Sequence, residues 1–94
     1  MIYELEFDRR ALKEWRKLDS SPRQQFKKKL QELLVQPQIE ANRLRELPNC
    51  YKIKLRSSGY RLIYQVQNQR LVVLVVAVGK RERGKTYKDA SQRI

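Results

Sequence analysis

An α+β domain built on a mainly antiparallel sheet is the fold this sequence predicts, in the order β–α–α–β–β–β with a helical C-terminal tail. Three observations predict it. The N-terminus alternates apolar and polar residues with the period of a strand, and the stretch 9–34 carries apolar residues at helical spacing. From Tyr51 onward, three runs rich in Val, Ile, Leu and Tyr are separated by turn residues. With 94 residues and a hydrophobic fraction of 40%, the chain is read as a single domain, 1–94, small but sufficient for its own core.

In "IYELEF", Tyr3, Leu5 and Phe7 share the inward face of a strand, opposite Ile2, Glu4 and Glu6. Asp8 is placed to cap a helix over 9–18, in which Leu12 and Trp15 fall on one face. Polar residues at 19–21 restart the chain, and Ser20 or Ser21 is the expected cap of a second helix. Pro22 suits its first turn, where a backbone N–H would be unpaired anyway. Phe26, Leu30, Leu33 and Leu34 recur at i, i+4, i+7 and i+8, and Pro37 ends the run. The segment 37–48 reads as loop with a helical turn, its Ile39, Leu44 and Leu47 tucked inward. Strands follow at about 51–56, 60–67 and 70–78, expected as an antiparallel meander with the helices on one face. "LVVLVVAV" is apolar on both pleats, so its strand belongs in the middle of the sheet. The polar, basic tail over 81–94 carries a weak helical pattern.

Charge narrows the function. Lys plus Arg number 22 against 10 acids, a net +12. So dense a field repels itself and costs stability, and it suits a polyanionic partner. A membrane is the poorest such partner, since the longest apolar run, 71–78, is far shorter than the ~20 residues a spanning helix needs. The N-terminus carries acids and lacks an apolar signal core. Histidine is absent and Cys50 is the only cysteine, which fits a reducing cytoplasm and leaves no metal-ligand set. Cys50 reads as a small core or strand-edge residue.

The hairpin "YKIKLRSSGYRLIYQV" holds the densest signal. A two-residue turn at Ser58-Gly59 sets Arg56 opposite Arg61, Lys54 opposite Ile63 and Lys52 opposite Gln65. One face then carries Lys52, Lys54, Arg56 and Arg61, and the other Tyr51, Ile53, Leu55, Leu62, Tyr64 and Val66. A three-residue loop would scatter charge over both faces, which the two-residue period of side chains disfavours. With Asn68-Gln69 as the next turn, Arg61 lies opposite Val76, and Gly79, Lys80 and Arg81 return toward the Arg56–Arg61 end. Cations on a sheet face are commonly just solvated, and charged edges deter aggregation. Here, though, like charges face each other across strands, and no acid occurs between Glu46 and Glu82. The patch is therefore read as a phosphate-binding surface, whereas Lys27, Lys28 and Lys29 fan around their helix and read as solvated, with at most weak RNA contact.

"YKIKLRSSGYRLIYQV", "VAVGKRERGKTY", "FDRRALKEWRKL" and "KKKLQELL" together resemble, over essentially the whole length, the RelE family of bacterial toxin–antitoxin toxins. The resemblance implies a RelE/ParE-like toxin fold, cleavage of mRNA in the ribosomal A site, and neutralisation by a wrapping, RelB-like antitoxin. It further implies that operator DNA is bound only through the antitoxin complex. The family's functional positions fall on Lys52, Lys54, Arg61, Arg81 and Tyr87. Arg45 matches a basic position near the RNA, and Arg56 and Lys80 join the expected RNA-binding set. Several toxins of the wider superfamily use a histidine near the C-terminus; this chain has none, so that mechanism does not transfer.

With no histidine, no metal set and no cofactor motif, attack by the RNA's own 2′-OH is the chemistry these residues can serve. It needs a base, an acid for the leaving 5′-oxygen, and cations for the crowded phosphate. Lys54, flanked by cations that favour an uncharged amine, is the expected base, with Lys52 assisting. Arg61 and Arg81 would hold charge, Arg81 also reaching the leaving oxygen, and Tyr87 would stack on a base, share proton transfer or simply pack. A non-catalytic nucleic-acid-binding module, a gyrase-inhibiting toxin of the same fold, and a surface that merely binds an acidic protein are the rival readings.

Overall fold

The computed structural model describes residues 2–80 and 84–94. Strand β1 (Glu4–Phe7) leads into helices α1 (Arg9–Arg16) and α2 (Ser20–Leu33). A 3-10 turn, Glu40–Asn42, and a two-residue strand β2 (Arg43–Leu44) follow. The meander is β3 (Cys50–Leu55), β4 (Tyr60–Gln67) and β5 (Val72–Lys80), and the tail forms α3 (Lys85–Arg93). The sheet runs β1-β5-β4-β3-β2, antiparallel except for the β1–β5 pair. β5 is thus interior, as its doubly apolar pattern requires.

Helices α1 and α2 cover one face. Phe26, Leu30 and Leu33 form the buried stripe of α2, and Tyr3, Leu5 and Phe7 of β1 pack against the same core. The Trp15 ring meets Phe7 edge-on, centroids 5.2 Å apart. Burying side chains such as Phe26 and Leu30 completely contributes about 2 kcal/mol each or more. Asp8 caps α1, accepting from the Arg10 backbone N–H at 2.9 Å. Partial burial pushes its carboxyl up, but the Arg10 hydrogen bonds and charge prevail and hold it below its ordinary range.

Four expectations shift. α2 starts at Ser20 with Asp19 as the capping residue, which makes no side-chain cap bond, so neither Ser20 nor Ser21 caps it. Ala11 rather than Leu12 is the fully buried residue of α1. Ile39 is 37% exposed, whereas Leu44 and Leu47 do pack inward. The helices do not all share one face: α3 lies on the other, where Ala90 and Tyr87 join Cys50, Ile63, Val76 and Ala77 in a second, smaller core.

The hairpin register also differs. Leu55 pairs with Tyr60, so residues 56–59 form the turn. The Gly59 N–H closes it on the Leu55 carbonyl at 2.9 Å with φ +76, a conformation that favours glycine. Lys54 therefore opposes Arg61, Lys52 opposes Ile63, and Arg56 sits in the turn rather than opposite Arg61. The second turn is likewise longer, and a bulge between Ile63 and Tyr64 leaves Val76 without a partner, so Arg61 opposes Gly79 instead of Val76. The bulge lets Val73, Val75 and Val78 serve the larger core while Val76 and Ala77, adjacent in sequence, both serve the smaller one.

Where β1 ends, side chains take over the outer edge of β5. The Asp8 N–H donates to the Val75 carbonyl, the Val78 N–H donates to Glu14 Oε1 at 3.1 Å, and Arg93 Nη1 donates to the Val76 carbonyl at 2.9 Å. Arg93 also grips both Glu14 oxygens, at 2.8 and 3.1 Å, which locks α3 to α1. Hydrogen bonding to Glu14 outweighs burial and raises the Arg93 pKa.

Candidate active site

The pleat turns Lys52 and Lys54 outward between the buried Tyr51, Ile53 and Leu55. On the neighbouring strand, Arg61 projects to the same face because it pairs directly with Lys54. The charged row thus lies opposite the larger core, as expected, although its partners are shifted along the ladder. Lys52 and Arg61 are partly buried; Lys54 and Arg56 are exposed.

α3 completes the arrangement. Its Tyr87 ring lies beneath the Arg61 guanidinium, 5.4 Å from centre to carbon, a cation–π contact. The helix reaches so close because β5 carries Gly79 opposite Arg61: a Cβ there would stand 3.0 Å from Thr86 Oγ1. Neither Gly79 nor Thr86, which is buried at 4% exposure, was among the expected site residues. The available signal was a glycine inside an apolar strand run, which marks close backbone approach.

Arg45, on the loop after β2, joins Lys52 and Tyr87 around a groove of about 560 Å³. Arg43, Glu46 and Lys88 also line it, residues that composition alone did not single out. Arg56 borders a second, smaller hollow with Lys54 and Arg61. The face therefore brings together Lys52, Lys54, Arg61, Tyr87, Arg45 and Arg56. Lys80 is not part of it. It pairs with Tyr60 and lies over that ring, 5.5 Å from its centre, on the opposite pleat. Arg81 falls outside the described residues.

Arg10, Arg70 and Arg93 are drawn into ion pairs with Asp8, Glu6 and Glu14, and Arg43, which lines the Lys52 groove, stands 3.8 Å from Glu40. Cys50 is buried, and desolvation pushes its thiol up to about 11, the environment of a packing residue rather than a nucleophile. Burial first, then Tyr51, raises the pKa of Tyr64, whose hydroxyl donates to the Pro37 carbonyl at 2.8 Å. Among the described residues, no three of His, Cys, Asp and Glu converge as a metal site requires, and no helix is long and apolar enough to cross a membrane.

The sheet thus presents clustered cations on one face, with Tyr87 of α3 against them, on a fold that is shared with a class of small toxins. The family model described as "ParE toxin of type II toxin-antitoxin system, parDE" matches residues 5–84. The chain is 64% identical over 94 residues to the mRNA interferase toxin RelE of Escherichia coli strain K12, covering 100% of this chain and 99% of that protein. The structure superposes on the free E. coli toxin RelE (R81A/R83A) mutant with a TM-score of 0.93 at 62% identity, covering 100% of this chain and 99% of that one. On the intact E. coli RelBE toxin–antitoxin complex the TM-score is 0.83 at 67% identity, covering 86% of this chain and 99% of that one. The chain belongs to this toxin family, on its RelE branch.

Proposed function

We propose that this chain is the toxin of a type II toxin–antitoxin pair and an endoribonuclease that cuts mRNA in the ribosomal A site. One observation carries the reading: Lys54 and Arg61 face each other across the hairpin, with Lys52 beside them and Tyr87 under the guanidinium. A phosphate laid on this row meets two amines, a guanidinium and a ring within one patch. The identity to an mRNA interferase supports the same reading.

In this mechanism the Lys54 amine takes the proton of the 2′-OH. The freed oxygen attacks the adjacent phosphorus, the bond from phosphorus to the 5′-oxygen breaks, and that oxygen takes a proton from Tyr87 or water while Arg81 donates a hydrogen bond to it. The products are a 2′,3′-cyclic phosphate and a 5′-hydroxyl. Lys52 assists the Lys54 amine, and Arg61 and Arg81 hold the extra negative charge of the five-coordinate phosphate, stabilising the transition state more than the ground state. Acid and base groups so far from neutral pKa values work slowly alone, and a ribosome that orients the mRNA supplies the missing alignment. The partners are thus ribosome and mRNA, an antitoxin of the RelB kind, and operator DNA through the antitoxin complex. The place of work is the cytoplasm.

The test is purified protein added to programmed ribosomes, with the cut ends analysed. A cyclic phosphate end, and loss of cutting when the nucleotide before the cut is 2′-deoxy, are expected; equal cutting of the deoxy substrate excludes the mechanism. A second reading is inhibition of gyrase, favoured by the ParE description of the matching family model. Inhibited supercoiling together with inert ribosomes would establish it instead.

A further inference from the structure

Lys52 stands on a ridge between two grooves. One is the groove of Tyr87 and Arg45 already described. The other, about 700 Å³, runs between β3 and α2. Its floor is the edge of β3 beyond Tyr51, where the short β2 has ended and no described strand continues the sheet. Lys52, Lys54 and Arg56 border this groove from the hairpin, and Lys29 closes it from α2. Glu32 is the one acid along its walls, against those four cations. Of the three consecutive lysines on α2, only Lys29 lines it; helical geometry turns Lys27 and Lys28 elsewhere.

The two grooves differ in kind. Tyr87 gives the first a ring on which a base can stack, whereas no aromatic residue lines the second among the described residues. Stacking surfaces hold bases and clustered cations hold phosphates. We propose that the groove between β3 and α2 is a phosphate subsite for single-stranded RNA, with Lys29 gripping a linkage that flanks the one being cut. The inference rests on the nuclease reading above and extends it. The strand crosses the Lys52 ridge, its base stacks at Tyr87, and its backbone continues along the groove regardless of sequence.

The test measures binding, so it does not depend on cleavage. Ribosomes are programmed with mRNA carrying a 2′-O-methyl group at the cleavage nucleotide, and each flanking phosphate in turn is replaced by a neutral methylphosphonate. For the wild-type toxin one flanking replacement is expected to raise Kd about three- to tenfold, the range set by one partly solvated ion pair. Lys29→Ala, an exposed and structurally harmless change, should raise Kd equally with normal mRNA, show no further loss at that linkage, and reduce the salt slope by about 0.7. Lys28→Ala should match wild type. The proposal is overturned if Lys29→Ala binds normally, or if its defect adds to every replacement alike, as contact with ribosomal RNA would make it. A Lys29→Ala defect confined to binding of an acidic partner protein overturns it too. Cleavage of unmodified mRNA, measured in parallel, judges the nuclease reading separately.

Discussion

The Arg61 guanidinium and the Tyr87 ring, 5.4 Å apart, join the second strand of the hairpin to the C-terminal helix. The contact holds the guanidinium over the ring, on the same face as Lys54, its partner across the hairpin. Tyr87→Phe keeps the ring and removes the hydroxyl; Tyr87→Ala removes both. If the hydroxyl moves a proton, Phe should lower kcat on programmed ribosomes about a hundredfold with KM unchanged. If Tyr87 only stacks, Phe should be close to wild type and Ala should raise KM. Single-turnover kinetics separates the two.

Lys54 and Arg56 are two residues apart, but one is in the strand opposite Arg61 and the other in the turn. Lys54→Ala should therefore reduce kcat at least a hundredfold, whereas Arg56→Ala should raise KM a few-fold and leave kcat intact. Equal effects of both on KM alone would mean that the face only docks RNA.

Gly79 is set by space. A methyl group would stand 3.0 Å from Thr86 Oγ1, so Gly79→Ala should cost about 1–3 kcal/mol in urea unfolding by overpacking α3 against β5. The same substitution in a Thr86→Ala background should cost clearly less, since the clashing oxygen is gone. Additive costs would show that the packing account is wrong.

The Glu14–Arg93 pair, with Arg93 only 10% exposed, locks α3 down. Arg93→Ala leaves the Glu14 carboxylate and the Val76 carbonyl short of a donor, and about 2–4 kcal/mol of stability should be lost. Cleavage should fall as well, through a displaced Tyr87, and amide exchange of α3 should quicken before that of α2. Uniform exchange across the chain would contradict the lock.

Cys50 sets a limit at high pH. Its folded-state thiol pKa, about 11, lies above the ordinary value of 9.0, because burial disfavours the thiolate. The neutral thiol is therefore favoured by folding: its contribution is complete below pH 9 and is lost as pH rises toward 11. Iodoacetamide labelling at pH 8 should be slow in the native protein and fast in urea, and Cys50→Ala should flatten the alkaline decline in stability.

The facing of the hairpin was legible from the chain because the error in turn length was two residues, and a shift of two leaves every side chain on its own side. Partner identities were not so protected, and Arg56 lost its place opposite Arg61 to Lys54. Lys80 could not be oriented because the bulge at Val76 reverses the alternation along β5, and no turn or glycine announces that bulge in the sequence. The position of α3 depended on contacts between residues far apart in sequence, Arg93 with Glu14 and Thr86 with Gly79, which no local period encodes.

The unpaired Val76 is slack stored in an interior strand, β5. With a regular ladder, Arg61 would pair with Val78 rather than Gly79, and the C-terminal helix would meet a branched side chain where it now meets bare backbone. A strand carrying one spare residue can absorb a single-codon deletion at the bulge by straightening, while Gly79 keeps its station opposite Arg61. An added codon meets no such reserve, so lineages of this toxin should lose residues from β5 more readily than they gain them.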